Sequence, residues 1–295
     1  MIAVQLKGGL GNQLFQYAVG RALAVKHSTE LVFDTAFLEN RVPEKTKTYY
    51  NYDLGLFQLP ARIATAADLP LYSKRFSTRN RFTRGLHLMH MHARGLKYVL
   101  QSKFEFDPRI LALPDNVYLD GYWQTEKYFA PVAAQIRSDL AFPSSLSPQA
   151  RQMQDRMRAT RSVCVHIRRG DYLEILNTVG VVGADYVQAG IKLLADRFPG
   201  LHFYVFSNDP KWCVENLSIA HPHTFITSQN AGNNDKEHFM LMSSAEHFVI
   251  ANSTYSWWAA WLATNPGKVV IGPKRWATDP GKNTDDVLPA GWIRL

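Results

Sequence analysis

Between Val163 and Ile271 short apolar runs alternate with amphipathic stretches, and no other feature constrains the fold of this chain as strongly. The runs Val163–Ile167, Phe203–Phe206, Thr224–Thr227, Phe248–Ile250 and Val269–Ile271 are rich in β-branched and aromatic residues and predict strands. Ala184–Phe198 carries Tyr186, Val187, Ile191, Leu194 and Phe198 at helical spacing and is closed by Pro199 and Gly200. Glu237–Ala245 and Thr254–Ala263 predict further helices. Such alternation is the pattern of a parallel sheet with helices on both faces.

The most chemically loaded phrase sits in the first of these strands. Val163, Val165 and Ile167 make a buried run that ends in His166, Arg168, Arg169 and Asp171. In an open α/β sheet, ligands bind at the carboxyl ends of the strands. Two arginines there suit a diphosphate, because a guanidinium fork matches phosphate oxygens and stays charged at any working pH. A surface salt bridge between Arg168 or Arg169 and Asp171 would leave the same pattern.

The first half is less regular. Ile2–Leu6 and Glu30–Phe33 predict strands, and the helix between them has Leu14, Tyr17, Ala18, Ala22 and Val25 on one face. A long irregular, basic region follows, then a strand from Val117 with an aromatic exit through Tyr122 and Trp123. Ser147 and Pro148 predict a capped helix start after the Pro/Ser-rich 143–148, so the domain boundary is expected near 143–160. The opening residues are too short a run, too soon followed by glycines, for a signal peptide.

Charge and cysteine usage narrow the setting. The net charge of +8 is local: from Leu69 to Phe104 there is no acidic residue, while Lys74, Arg75, Arg79, Arg81, Arg84, Arg94, Lys97 and Lys103 account for the whole excess. Phe76, Phe82, Leu86, Met89 and Leu96 are interleaved, so part of the stretch is expected to form an amphipathic helix with a solvated basic face. Peripheral contact with an anionic membrane, such as a bacterial inner membrane, is a second reading. Nucleic-acid binding is disfavoured because no recognised module surrounds the stripe. His87, His90 and His92 lack the neighbouring cysteine or carboxylate that would complete a metal site. Two cysteines, Cys164 and Cys213, make neither a disulfide framework nor a metal set; a reduced core thiol at Cys164 and a cytoplasmic setting are expected.

Four loops fall at strand ends. Lys7-Gly8-Gly9-Leu10-Gly11-Asn12-Gln13 opens a helix, where glycines admit a ligand and the helix terminus favours an anion. Asn12 and Gln13 could bond sugar hydroxyls or phosphate, or the loop could be only a tight βα turn. His166–Asp171 is the second. In the third, Ser207-Asn208-Asp209-Pro210, Asp209 could accept the paired donors of a guanine edge or simply cap a helix. The fourth, Ala251-Asn252-Ser253-Thr254, converges hydroxyls and backbone N–H groups, or merely caps a helix whose Trp257, Trp258 and Trp261 are core. Together, four polar loops carrying arginine and no Asp-x-Asp clamp describe a metal-free nucleoside-diphosphate site.

Those loops, with Gly121-Tyr122-Trp123-Gln124-Thr125-Glu126-Lys127-Tyr128-Phe129, run in an order that resembles the bacterial α-1,2-fucosyltransferases, the GDP-L-fucose-dependent, family-11-like glycosyltransferases. α-1,6- and protein O-fucosyltransferases are more distantly similar. The resemblance implies an α/β fold of two Rossmann-like halves facing a cleft, GT-B-like, with mostly parallel sheets and flanking helices. Residues 1–150 would form the acceptor side, with the basic insert at about 69–104, and 151–295 would hold GDP-fucose. His166 and Asp209 would contact guanine. Arg168 would bind the diphosphate with Asn252, Ser253 and Thr254 assisting, and Gly11 and Asn12 would approach the β-phosphate and fucose. Arg169 would join the diphosphate or brace its loop. The implied chemistry is inverting, metal- and cofactor-free transfer of L-fucose from GDP-β-L-fucose to the 2-hydroxyl of a terminal galactose. Asp171 is the first candidate for general base, with Glu174 or Glu126 as replacements; Asp171 could instead only hold an arginine in place. A different acceptor or linkage, or a non-catalytic nucleotide- or glycan-binding protein, are the alternatives.

Overall fold

The computed structural model describes residues 1–39, 51–65, 67–69, 89, 95–142, 146–175 and 180–295, with the side chains of Asp171, Glu174 and Ile175 left out. The chain forms two compact units, one of Met1–Ala141 with Asp285–Val287 and the other of Phe142–Thr284 with Leu288–Leu295. Each is built on its own sheet.

The first unit carries strands β1 (Ile2–Gln5), β2 (Leu31–Asp34), β3 (Arg62–Ile63), β4 (Lys97–Leu100) and β5 (Val117–Asp120) in the order β3-β2-β1-β5-β4. All its pairings are parallel. The helix α1 (Leu10–His27) returns the chain from β1 to β2, and its apolar stripe of Leu14, Phe15, Ala18 and Val19 is buried. β4 lies within the basic stretch of the sequence, whose positive charges mask a strand pattern. Lys97 stands exposed on that strand while Leu96 is buried against Ala3, Val32 and Tyr118. Of the other basic residues of the stripe, Lys103 is exposed, while Lys74 to Arg94 lie outside the described residues, as do His87, His90 and His92.

The second unit has six parallel strands, β6 (Arg161–Ile167), β7 (Leu201–Ser207), β8 (His223–Phe225), β9 (His247–Val249), β10 (Val270–Gly272) and β11 (Ile293–Arg294), in the order β11-β10-β9-β6-β7-β8. β6 is buried from Ser162 to Ile167, as a central parallel strand covered on both faces must be. Val163, Val165 and Ile167 pack with Val187, Ile191 and Leu194 of the helix Ala184–Arg197. Cys164 is fully buried and unbonded, and burial raises its thiol well above the ordinary range. Ser147 caps the helix Pro148–Arg158 through Ala150 N at 3.3 Å. The helix Pro210–Asn216 and the edge strand β11 are too short to show periodicity in the sequence. No helix of the described residues is long and apolar enough to cross a membrane.

One buried carboxylate in the first sheet is a titration probe. Asp34, only 3% exposed, ends β2 in register with Gln5. It accepts hydrogen bonds from Tyr118 Oη at 2.7 Å and Ala36 N at 2.9 Å. Burial, helped by the charges of Glu39 and Asp120 and opposed by those two bonds, pushes it up from 3.8 to about 6. Between those values the folded chain holds a proton that the unfolded chain releases, so this group favours folding at low pH and costs stability as pH rises through 6. Asp34→Asn should therefore gain on the parent by about 2–3 kcal/mol between pH 4 and 7. Unfolding midpoints measured across that range check the slope, and parallel pH curves for the two proteins would refute it.

Candidate active site

In both sheets the strand order reverses beside the central strand, between β1 and β5 in the first and between β6 and β9 in the second. Carboxyl ends at such reversal points form the crevice in which open α/β sheets bind ligands. The predicted site residues fall on these two crevices: Gly11 and Asn12 on the first, and His166, Arg168, Arg169, Asn252, Ser253 and Thr254 on the second, with Asp209 beside them.

In the second unit the polypeptide leaves β6 through Arg168 and Arg169 and is held by the neighbouring strand's exit. Asn208 Oδ1 accepts from the backbone N–H of Arg169 at 2.9 Å and of Gly170 at 3.3 Å. Asn208 is a positioning residue that the sequence motif contains but does not mark as such. Asp209 caps the helix Pro210–Asn216 through Trp212 N at 3.2 Å, and its other oxygen lies 3.6 Å from Arg169 Nε. The Arg169 guanidinium rests on the Trp212 ring, 4.1 Å from its centroid. Arg169 thus braces the β6 and β7 exits. Arg168, half-buried, lies 5.8 Å from the centroid of Tyr172, whose hydroxyl donates to Asn252 O at 3.4 Å across the crevice.

His166 is 4% exposed and packs 5.9 Å from the Tyr255 ring. Burial, with the Arg168 charge adding to it, pushes its imidazole down to about 3, so the ring is neutral at any working pH. A neutral imidazole offers one donor and one acceptor. Its Nδ1 is buried without a hydrogen-bond partner, an arrangement that native structures keep rare.

Across the reversal point, Asn252 Nδ2 donates to Gly180 O at 3.3 Å and Trp276 O at 3.2 Å, tying two loops to the β9 exit. Ser253 occupies the cap position of the helix Thr254–Leu262, yet its side chain makes no capping bond. Capping by Ser253 is thereby corrected: the hydroxyl is not spent on the helix. Trp257, Trp258 and Trp261 are buried, as core residues must be. The side chains of Asp171 and Glu174 lie outside the described residues, although the short helical turn Gly170–Ile175 carries their backbone. Glu126 opens the turn Glu126–Tyr128 in the first unit, half-buried, where its charge acts on Arg137.

The first crevice corrects one sequence expectation. Gly8 turns the chain at φ +76°, a conformation costly to any side chain, and an added Cβ would meet Asn12 Nδ2 at 2.4 Å. Asn12 Oδ1 accepts from Gln124 Nε2 at 2.8 Å, bridging the β1 and β5 exits. Gln13, expected among the ligand-bonding groups, is fully buried. Its Nε2 donates to Gly8 O at 2.8 Å and Asn51 O at 2.7 Å, and its Oε1 accepts from Asp53 N at 2.9 Å. Every polar position of that amide is consumed inside the protein. Gln16 is likewise buried and joins Lys7 to Gly121.

The described residues thus give two parallel sheets, one with arginine, imidazole and hydroxyl groups at its reversal point and the other with a glycine turn. A family model for glycosyl transferase family 11 matches residues 1–295, and the chain belongs to that family. An Escherichia coli α-1,2-colitosyltransferase is 29% identical over 313 residues, covering 100% of this chain and 99% of that one. A galactoside α-(1,2)-fucosyltransferase 1 from Oryctolagus cuniculus is 30% identical over 146 residues, 46% of this chain and 39% of its own. Among solved structures, the α-1,6-fucosyltransferase NodZ co-crystallized with GDP superposes with a TM-score of 0.52 at 13% identity, over 89% of this chain and 92% of that chain, which shows a shared fold.

Proposed function

We propose that this protein transfers L-fucose from GDP-β-L-fucose to the 2-hydroxyl of a terminal galactose, with inversion at the anomeric carbon and without a metal ion or other cofactor. The observation that carries this reading is the β6 exit. A neutral, buried His166 with a partnerless Nδ1 stands beside the cationic pair Arg168–Arg169. That pairing has the chemistry of a base edge next to a diphosphate.

In the reaction the acceptor oxygen forms a bond to C1 as the bond from C1 to the β-phosphate oxygen breaks. The hydroxyl proton passes to a base, and GDP leaves with one more negative charge. Arg168 meets that growing charge, an interaction stronger in the transition state than in the ground state. Asn252, Ser253 and Thr254 hold the diphosphate, with Arg169 bracing the loop. His166 and Asp209 face guanine, and Gly11 and Asn12 meet the sugar and β-phosphate. Asp171 is the first-choice base, with Glu174 and Glu126 as the alternatives. The whole-length likeness to a colitosyltransferase favours a second donor reading, a GDP-sugar lacking the 3-hydroxyl of fucose.

The test incubates the protein with GDP-fucose or GDP-colitose and a β-galactose-terminated oligosaccharide in excess EDTA, and reads product mass and linkage. A deoxyhexose on the galactose 2-position is expected. A dideoxyhexose product with GDP-colitose alone would replace the donor. GDP release without product would leave the donor and replace the acceptor. GDP binding with neither product nor GDP release would favour a non-catalytic binder, and no GDP binding would overturn the reading.

A further inference from the structure

The phrase after β5, from Gly121 to Phe129, folds with a costly geometry. Gly121 sits so close to β4 that an added Cβ would lie 2.5 Å from Gln101 Cβ and 2.7 Å from Trp123 Cε2. Gln101 Oε1 accepts the backbone N–H of Tyr122 at 2.7 Å and of Trp123 at 3.1 Å. Trp123 is held at φ +56°, the left-handed region, which a bulky residue enters only when its surroundings over-determine it. Its ring is 1% exposed and meets Tyr128 edge-on at 5.7 Å. Both Trp123 Nε1 and Gln101 Nε2 are buried without acceptors. Strain and two unmet donors are tolerated at one corner, so local stability does not explain its shape.

What the corner achieves is the display of Tyr122. With Trp123 turned inward, Tyr122 stands 37% exposed at the carboxyl edge of the sheet. Lys7 Nζ lies over one face of its ring, 5.0 Å from the centroid. Lys7 is in turn held by Asp120 at 2.5 Å, with side-chain exposures of only 14% and 7%. Gln124, two residues on, bonds Asn12 of the glycine turn. An exposed aromatic ring beside an ion pair of no net charge and the Gln124 amide matches a neutral pyranose. The C–H face of the sugar packs on the ring face opposite Lys7, and its hydroxyls point out to polar neighbours at the ring edge. A phosphate would find Asp120 beside the ammonium.

We propose that Tyr122 is the platform on which the terminal sugar of the acceptor glycan stacks, on the ring face opposite Lys7. The proposal rests on the glycosyltransferase reading and adds the residue that selects the acceptor.

Steady-state kinetics with GDP-fucose and β-galactosyl-N-acetylglucosamine test it. Tyr122→Ala should raise the acceptor KM about 10-fold or more, leaving the donor KM within about twofold. Tyr122→Phe, which keeps the ring, should recover most of the loss. An acceptor KM unmoved in Tyr122→Ala, or a donor KM that rises equally, overturns the platform. If the parent neither transfers fucose nor releases GDP, it is the glycosyltransferase reading that has failed. Saturation-transfer NMR of the same disaccharide then decides the platform alone. Saturation of the galactose ring protons by the parent, lost in Tyr122→Ala, supports it. No saturation by the parent, or equal saturation by the variant, overturns it.

Discussion

Arg168→Ala should lower fucosyl transfer by about 10²–10³-fold, the scale seen when one preorganised charge stabiliser is removed from a transition state. Arg168→Lys should not restore it. A lysine carries the same charge but presents a point where the guanidinium presents a planar fork, and the forked geometry is what meets two phosphate oxygens together. Arg168 is half-buried with its guanidinium 5.8 Å from the Tyr172 ring centroid, and an ammonium does not reproduce that planar contact. The measurement is kcat and donor KM for parent, alanine and lysine proteins, with thermal unfolding midpoints as a folding control. Near-parental turnover by the lysine variant would remove Arg168 from the chemistry. The same alanine change should let the buried imidazole of His166 rise from about 3, since the Arg168 charge is one cause of its depression.

Trp257→Ala is expected to produce the largest loss of stability. Trp257 is fully buried and meets Trp258, Trp261 and Trp292 at ring-centroid separations of 5.1, 6.3 and 5.4 Å. Removing a buried ring of this size costs about 3–5 kcal/mol, which for a unit of this length is a fall of roughly 10 °C in midpoint. Six of the seven tryptophans belong to the second unit, so intrinsic fluorescence follows that unit's unfolding. Trp257→Phe should keep much of the packing. The change also reaches function, because the helix Thr254–Leu262 carries the Asn252–Thr254 loop at its start. GDP affinity should fall with stability even though Trp257 is wholly buried in the core. A midpoint shift under about 2 °C would mean that this aromatic cluster repacks freely.

The strands of both sheets differ in how openly the chain announces them. β6 and β7 carry long buried runs that follow from composition alone. β4 does not: Lys97 and Leu100 are exposed, Tyr98 and Val99 are half-buried, and the flanking positive charge suggests a solvated helix. Its strand exists because β5 offers an edge to pair with. The site divides in the same way. Histidine, arginine and the Asn-Ser-Thr triplet declare themselves by residue type at strand ends. Asn208 and Gln101 are ordinary amides whose work is visible only from the backbone groups they hold.

By itself the sequence determined a parallel α/β architecture, a cationic cluster after Ile167 and membership of glycosyl transferase family 11, because period, residue type and motif order are local properties. Tertiary structure alone decided that Gln13 is a buried strut, that Arg169 leans on Trp212, and that a left-handed Trp123 turns Tyr122 outward. Each of those depends on which distant residue supplies the partner, and an amide or a guanidinium bonds whatever lies within about 3 Å of it.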